Sequence, residues 1–496
     1  MHEVSYSALS RKISAAIVLC LAMLLVISHA ASAQSTGNAP SEALCRFGVN
    51  HDHSGAGDLT AFDLGPLHAG FFIDYRADTA TKPAGMEQLR MVRLEQPNKA
   101  STDYNSSPAL ATLVSLAQAN PGEIWLIGNE PDRITYQDDL TPEAYARAYR
   151  ELRQAIKGAD PTAIVVAGNI VQASPLRLRY LDLVLAAHRS AYGHNMEVDA
   201  WGIHAFILNE QAGQWGADIP RGVSATAGWV LTTAQNADFS LFQQQVLAFR
   251  TWMQQNGYRS VPLYITEYGV LMPDGYGYGP FSPTEISDYM RRTFDFLLNT
   301  RDDNIGYPAD DNHLVQHFSW YSINDKIKLV DGAFEGFNGY LFDPDLGNQR
   351  SPMGDAYANY TAQLATQTDL LVSAIRFEPA IPVVSGGPVT ITIQVEIGNA
   401  GNSVTQKDFM LQLYHGDPAA GGQLLEGSQF SSAVAGCGNR QLYTYTWPNV
   451  EPDSYEIFAV VSPGAGVTDS QPANNQLRRS FFFATDLLYL PSVRRQ

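Results

Sequence analysis

Residues 121–132, PGEIWLIGNEPD, constrain the fold more than any other stretch. Ile124-Trp125-Leu126-Ile127 is a short apolar run of the kind that forms a strand buried on both faces. It breaks at Gly128-Asn129-Glu130-Pro131, so the chain leaves the strand with an Asn and a Glu at its carboxyl end. In α/β folds the carboxyl ends of the strands are where ligands bind. A second run, Pro262-Leu263-Tyr264-Ile265-Thr266, delivers Glu267 in the same way before Tyr268-Gly269. A sheet closed into a barrel could bring two such strand-end carboxylates, far apart in the chain, face to face.

The intervening pattern predicts that closure. Strands are expected at residues 47–50, 70–75 and 89–94, then a helix over 107–119 leading to Glu130. In the next helix Thr141 is the expected N-cap, Pro142 takes the first position and Gly158 ends it. Tyr145, Tyr149, Leu152 and Ile156 give it one apolar face. A strand at 163–167, a helix from Ser174-Pro175 to Tyr192 and a strand at 198–203 ending at His204 follow. Residues 205–236 are too long for a simple connection and read as a functional loop or small subdomain. A helix at 238–256 stopping at Gly257, the Glu267 strand, a capping box at Ser282-Pro283-Thr284-Glu285, a strand at 315–321 and a helix at 353–364 complete eight units. This is the layout of an α/β chain folding as a (β/α)8 TIM barrel over residues 34–366. Residues 367–484 change to short alternating runs punctuated by Gly, Pro and Asn, which predicts an all-β sandwich of immunoglobulin-like scale. The tail, 485–496, reads as a final strand or a sorting tag.

Arg11 and Lys12, the apolar run 13–27 and Ala31-Ser32-Ala33 form a signal-peptide layout over residues 1–33. A secreted chain without a membrane span after cleavage is therefore expected; a permanent anchor is the alternative. Lys and Arg total 32 against 50 acidic residues, a net charge of -18. That disfavours nucleic acid and anionic membranes and leaves neutral polysaccharide compatible. Cys20 leaves with the signal; Cys45 and Cys437 remain, and spacing does not decide whether they pair.

Cleaving a glycosidic bond needs a proton for the leaving oxygen and a carboxylate at the anomeric carbon; in the retaining geometry the two carboxyls lie about 5–5.5 Å apart. Through IGNEPD at its fourth strand and YITEYG at its seventh, the chain resembles the retaining (β/α)8 glycoside hydrolases of clan A. The resemblance implies Glu130 as acid/base, Asn129 as the contact to the sugar 2-hydroxyl, Glu267 as nucleophile, and no cofactor. It also implies a carbohydrate substrate with β-linkages. The strand contexts are similar to endo-β-1,3-glucanases and to β-xylosidase and mannanase relatives, so a β-glucan or related polysaccharide is expected. The C-terminal region resembles adhesion-type β-domains of bacterial secreted enzymes, serving as sugar binder or as spacer.

Further substrate contacts are expected at strand ends and loops. His204 ends the sixth strand, where many clan members carry a His followed two residues on by a Tyr that supports the nucleophile. This chain has Phe206 there, so either another hydroxyl, such as Tyr268 or Tyr264, takes that part or the nucleophile is tuned differently. Trp320 resembles the clan's eighth-strand tryptophan, the floor of the sugar site, and Asn50 ends the first strand. Trp215, Tyr276, Tyr278 and Phe281 are candidate subsite walls; Arg76 and Arg93 either orient a carboxylate or make surface ion pairs. His51-Asp52-His53 looks like a metal cluster but lacks further ligands at diagnostic spacing, so no metal is assigned. Asp469, Asn474 and Asn475 read as turn formers in preference to calcium ligands. Two rivals remain: a non-catalytic glycan-binding or adhesion protein on a barrel scaffold, and a metal-dependent hydrolase using His51, His53 and His204.

Overall fold

A computed structural model describes residues 43–52, 58–79, 81–135, 137–272, 281–330, 333–383 and 387–483. The expected signal peptide, His53, Tyr276, Tyr278 and the tail lie outside them. The barrel strands are β1 (Leu44–Asn50), β2 (Ala69–Ile73), β3 (Glu87–Gln88), β4 (Arg90–Glu95), β6 (Ile124–Ile127), β7 (Ile164–Ile170), β8 (Ala200–His204), β9 (Leu263–Tyr268) and β10 (His317–Trp320), with β5 (Asn105–Ser107) added at the edge of β4. Strands β3 and β4 are one strand interrupted at Leu89. The first part pairs with β2 and the second with β6, while β1 pairs with both β2 and β10. All these barrel pairings are parallel, and together they close a ring of eight.

Period-two alternation sorts each strand's side chains between two cores. On β6, Trp125 and Ile127 point out toward the helices, whereas Ile124 and Leu126 join Phe71, Met91, Val166 and Tyr264 inside the barrel. Gly48 is required by that interior, because a Cβ there would stand 2.1 Å from the Phe71 ring. The helices are α1 (Leu110–Ala119), α2 (Pro142–Ala159), α3 (Pro175–Tyr192), α4 (Phe239–Gln255), α5 (Pro283–Asn299) and α6 (Pro352–Thr361). Thr141 caps α2 and Ser282 closes its capping box on α5, as their sequences predict. Gly158 does not end α2, which runs to Ala159; Asp160 caps it by donating its N–H to Ile156 O. Tyr145 of α2 donates to Ile127 O and accepts from Gly168 N–H, fastening the helix to two strands whose carboxyl ends open on one cavity.

Two small hairpins follow β10: β11 (Lys328–Val330) with β12 (Ala333–Glu335), and β13 (Phe342–Asp343) with β14 (Gln349–Arg350). The rest is β15 (Leu370–Glu378), β16 (Val389–Asn399), β17 (Lys407–His415), β18 (Gln423–Leu424), β19 (Phe430–Val434), β20 (Asn439–Val450), β21 (Ser454–Pro463) and β22 (Gln476–Phe482). They form two antiparallel sheets, β15-β16-β20 and β18-β17-β21-β22 with β19 on β17, around a core that includes Ile375, Ile393, Leu411 and Ile457. Asp469 accepts from Gln471 N–H two residues on, the part of a turn former, and also from Leu370 N–H at the start of β15. Cys45 and Cys437 form a disulfide that spans 392 residues and ties β1 to the loop before β20. No helix among the described residues is long and apolar enough to cross a membrane.

Candidate active site

The carboxyl ends of the barrel strands surround a cavity of about 230 Å³ that takes in Glu130 and Glu267. Gly128, at φ +81°, turns the chain out of β6, and Glu130 itself sits in the left-handed region at φ +48°. A non-glycine residue held there marks a backbone fixed by its surroundings. Its N–H donates to Asn169 O at 3.0 Å. Glu267 pairs in register with His204 across β9 and β8. Next to it the strand register slips, which turns Glu267 inward and sends Tyr268 outward into the helix layer.

His204 is fully buried between the two carboxylates. Its Nδ1 lies 3.0 Å from Glu130 Oε1 and its Nε2 3.4 Å from Glu267 Oε1. One oxygen of each carboxylate and one His204 nitrogen all lie within 4.8 Å of one another. Arg133 donates to the other oxygen of Glu130 at 3.0 Å. Asn129 donates through Nδ2 to Gln137, and its N–H reaches the buried carboxylate of Asp138, which also binds Arg93. Four buried polar atoms here have no hydrogen-bond partner among the described residues: Tyr75 Oη, Asn129 Oδ1, His204 Nε2 and Glu267 Oε1. Buried polar groups are rarely left so, and a cluster of them at one cavity is what a polar ligand would satisfy.

The two carboxyls are held in opposite conditions. Burial raises both. At Glu130 the Arg133 charge and His204 outweigh burial and hold the carboxyl down at about 2. At Glu267 burial prevails over His204, the Glu130 charge adds to it, and the carboxyl is pushed up to about 7. Burial opposes charge on His204, but Glu267 and Glu130 outweigh it and raise its pKa.

Several expected contacts do not reach the cavity. Asn50 points into the barrel, donating to Thr266 O and accepting from Ser319 Oγ, so both ends of its amide are used. Trp320 alternates with Phe318 onto the outer face, where its Nε1 donates to Gly339 O; the next residue, Tyr321, lines the cavity instead. Tyr268 packs beside Phe242 and Trp320, and its hydroxyl accepts from Thr293. Tyr264 lies toward the amino ends of the strands, in a separate cavity. Trp215 packs behind a wall that includes Phe206 and Leu271, with Tyr321 and Phe337. Phe281 is buried in the core. Arg93 lines the cavity, whereas Arg76 makes a half-exposed ion pair with Asp74.

Sequence reasoning missed Tyr75, Arg133 and Gln137 as cavity residues, and Arg177. Arg177 is fully buried on α3 and binds Asp132 of the NEPD motif, Glu210, and the carbonyls of Ala217 and Asp218. It thereby ties Glu210, Ala217 and Asp218 of the 205–236 excursion to the NEPD segment. An arginine in an apolar helix face was the only sequence signal for it.

No family model matches the chain, and no curated protein sequence matches it. Among solved structures, a monomeric beta-xylosidase from Caulobacter crescentus CB15 is 13% identical, with coverage of 83% of this chain and 95% of that one and a TM-score of 0.42. A glucosidase from Croceicoccus marinus is 12% identical, with coverage of 82% and 97% and a TM-score of 0.40. The CARDB domain of a Pyrococcus furiosus protein, solved in complex with di-metal ions, is 18% identical over 24% of this chain and 96% of that one, with a TM-score of 0.19. Likenesses of this size carry no weight; the barrel stands on its strand pairing.

Proposed function

We propose that the protein is an exported retaining glycoside hydrolase acting on β-linked glycans. The observation that carries this reading is the pair of buried carboxylates within one 4.8 Å cluster, opening on a cavity rimmed by unsatisfied polar atoms. The spacing suits a covalent glycosyl-enzyme route. Glu267 attacks the anomeric carbon as the glycosidic bond breaks, and Glu130 gives a proton to the leaving oxygen. Glu130 then takes a proton from water as that water releases the sugar from Glu267. Asn129 Oδ1 is free to bind a sugar hydroxyl, and Phe206, Leu271 and Phe337 offer an apolar wall to the C–H face of a ring.

Below about pH 7 the pair's one proton rests on Glu267 and not on Glu130, the reverse of what the chemistry needs. His204 is hydrogen-bonded to Glu130 through Nδ1, and its Nε2 stands 3.4 Å from Glu267. Passing the Glu267 proton to Nε2 while Nδ1–H goes to Glu130 moves it where it is used and leaves the imidazole neutral. A divalent cation on the same three groups is disfavoured by the Arg133 cation already on Glu130. The signal-peptide layout of residues 1–33 supports export, and a disulfide fits an oxidising compartment.

The test is purified protein against a panel of polysaccharides and aryl β-glycosides, with product sizes read out and a chelator arm. Glu267→Ala and Glu130→Ala are each expected to lower turnover at least about a thousand-fold. Near wild-type turnover in either removes the assigned role, and loss of turnover on chelation would favour metal chemistry. Binding of the panel without any cleavage would favour the adhesion reading.

A further inference from the structure

At position 206 the chain carries a phenylalanine, so the sixth strand offers no hydroxyl to Glu267. Tyr75 stands on the far side of the same cavity, two residues beyond β2. Its backbone is held at φ +60°, in the left-handed region that a bulky side chain rarely adopts. Its neighbours on both sides are fixed: Asp74 is buried and accepts from Gln88, Arg76 and Thr79, and the Arg76 carbonyl accepts from Met91 N–H and from Gln88. That frame turns the Tyr75 ring into the cavity. The hydroxyl is buried without a hydrogen-bond partner among the described residues, and so is Glu267 Oε1.

We infer that Tyr75 is the positioning residue for Glu267, donating its hydroxyl to the carboxylate and so holding it ionised and aimed at the anomeric carbon. This rests on the glycosidase reading above. Burial and the Glu267 charge push the Tyr75 phenol well above its usual range, so it keeps its proton to donate. Its interaction lowers the Glu267 carboxyl, against burial and Glu130. The other charged or titratable groups facing Glu267 are His204 from β8, Glu130 and Arg133 after β6, Arg93 from β4 and Tyr321 after β10. Among these, Glu130 opposes its charge and Tyr321 sits beside Asp325, to which it donates. Tyr75 is thus the neutral hydroxyl among them whose donor is not already given to another residue.

Two proteins test it: Tyr75→Phe, and the full chain with 3-fluorotyrosine at position 75, whose more acidic hydroxyl is a stronger donor of the same shape. The Glu267 carboxyl is titrated by difference infrared spectroscopy against a Glu267→Gln reference, which needs no turnover. Removing the hydroxyl is expected to raise the midpoint by about one pH unit, and fluorination to lower it. On a substrate the wild type cleaves, kcat of Tyr75→Phe should fall roughly ten- to a hundred-fold with KM little changed, and the upper limb of the pH profile should move with the midpoint. A midpoint that ignores both changes overturns the inference. Should Tyr75→Phe fail to fold, the fluorinated protein decides alone. A wild type that cleaves nothing while the midpoint still moves would count against the glycosidase reading and leave the Tyr75–Glu267 bond standing.

Discussion

Two histidines, buried at opposite mouths of one barrel, are pushed in opposite directions. His317 stands at the amino end of β10, where burial and the nearby Arg46 charge press its pKa down to about 3. His204 ends β8 at the other mouth, equally buried, yet two carboxylates raise it. The partners make the difference. Around His317 the barrel is closed off by the other region of the chain: Arg46 of β1 binds both oxygens of Asp310 and the carbonyl of Ala400 beyond β16, and the disulfide to Cys437 lies beside it. A cavity of about 420 Å³ persists there, edged by Tyr264, His317, Asn439 and Arg440. At that mouth the Arg46 and Asp310 charges are spent on each other. At the other, carboxylates face each other with donors unspent. The Arg46–Asp310 clamp and the disulfide hold one end of the barrel together, while the other end holds Glu267 against its charge.

The largest expected effect breaks the amino-end clamp. Asp310→Ala would leave Arg46, 2% exposed, as a buried cation with only carbonyl partners. Removing one partner of such a pair costs about 3–5 kcal/mol. Thermal and denaturant unfolding should show that loss, with the Glu267 titration midpoint unmoved. A midpoint that shifts with the clamp would mean the two mouths are coupled and the contrast is false.

How much of this was legible before folding follows from the same contrast. Helix caps at Thr141 and Ser282 need only neighbours in sequence, and they read correctly. Glu130 and Glu267 were legible because a strand that ends on a carboxylate is a local signal. The facing of Tyr268 and Trp320 was not: it depends on slips of register between β8, β9 and β10, set by pairing partners more than fifty residues away. Tyr75 escaped for a like reason. Its ring enters the cavity only because Asp74 and Arg76 are tied to Gln88 on the next strand. Arg133 was visible three residues after Glu130, yet nothing local says whether such a side chain folds back onto the carboxylate or runs into solvent.

A smaller effect sharpens the claim that the carboxyl-end mouth costs stability. Glu267 has its folded pKa raised from 4.5 to about 7, so the folded protein keeps this proton where the unfolded chain has lost it. The penalty is absent below the unfolded pKa, grows as pH rises from 4.5, and is complete above about 7. Glu267→Gln removes it and should stabilise the protein above pH 7 by on the order of 3 kcal/mol, with the gain fading toward the unfolded carboxyl pKa. Unfolding midpoints of the two proteins across that window check it. Equal stability at all pH values would show that Glu267 is not held against its charge.

The smallest effect concerns the other carboxyl, whose sign is opposite. Glu130 is depressed to about 2, so its contribution to stability is present above the unfolded value of 4.5 and is lost as pH falls through the folded one. Arg133 is the largest of the causes that lower it, and the guanidinium is only 19% exposed, so solvent screens the pair weakly. Arg133→Gln should raise the Glu130 midpoint by about one pH unit, worth roughly 1.4 kcal/mol of acid stability. It should also bring the productive arrangement, proton on Glu130 and charge on Glu267, nearer in energy to the resting one. The lower limb of the pH profile is therefore expected to move up without loss of rate on the plateau. If the lower limb stays and the upper one moves, Arg133 acts chiefly on Glu267, and the division of labour between the two carboxyls must be drawn from His204 alone.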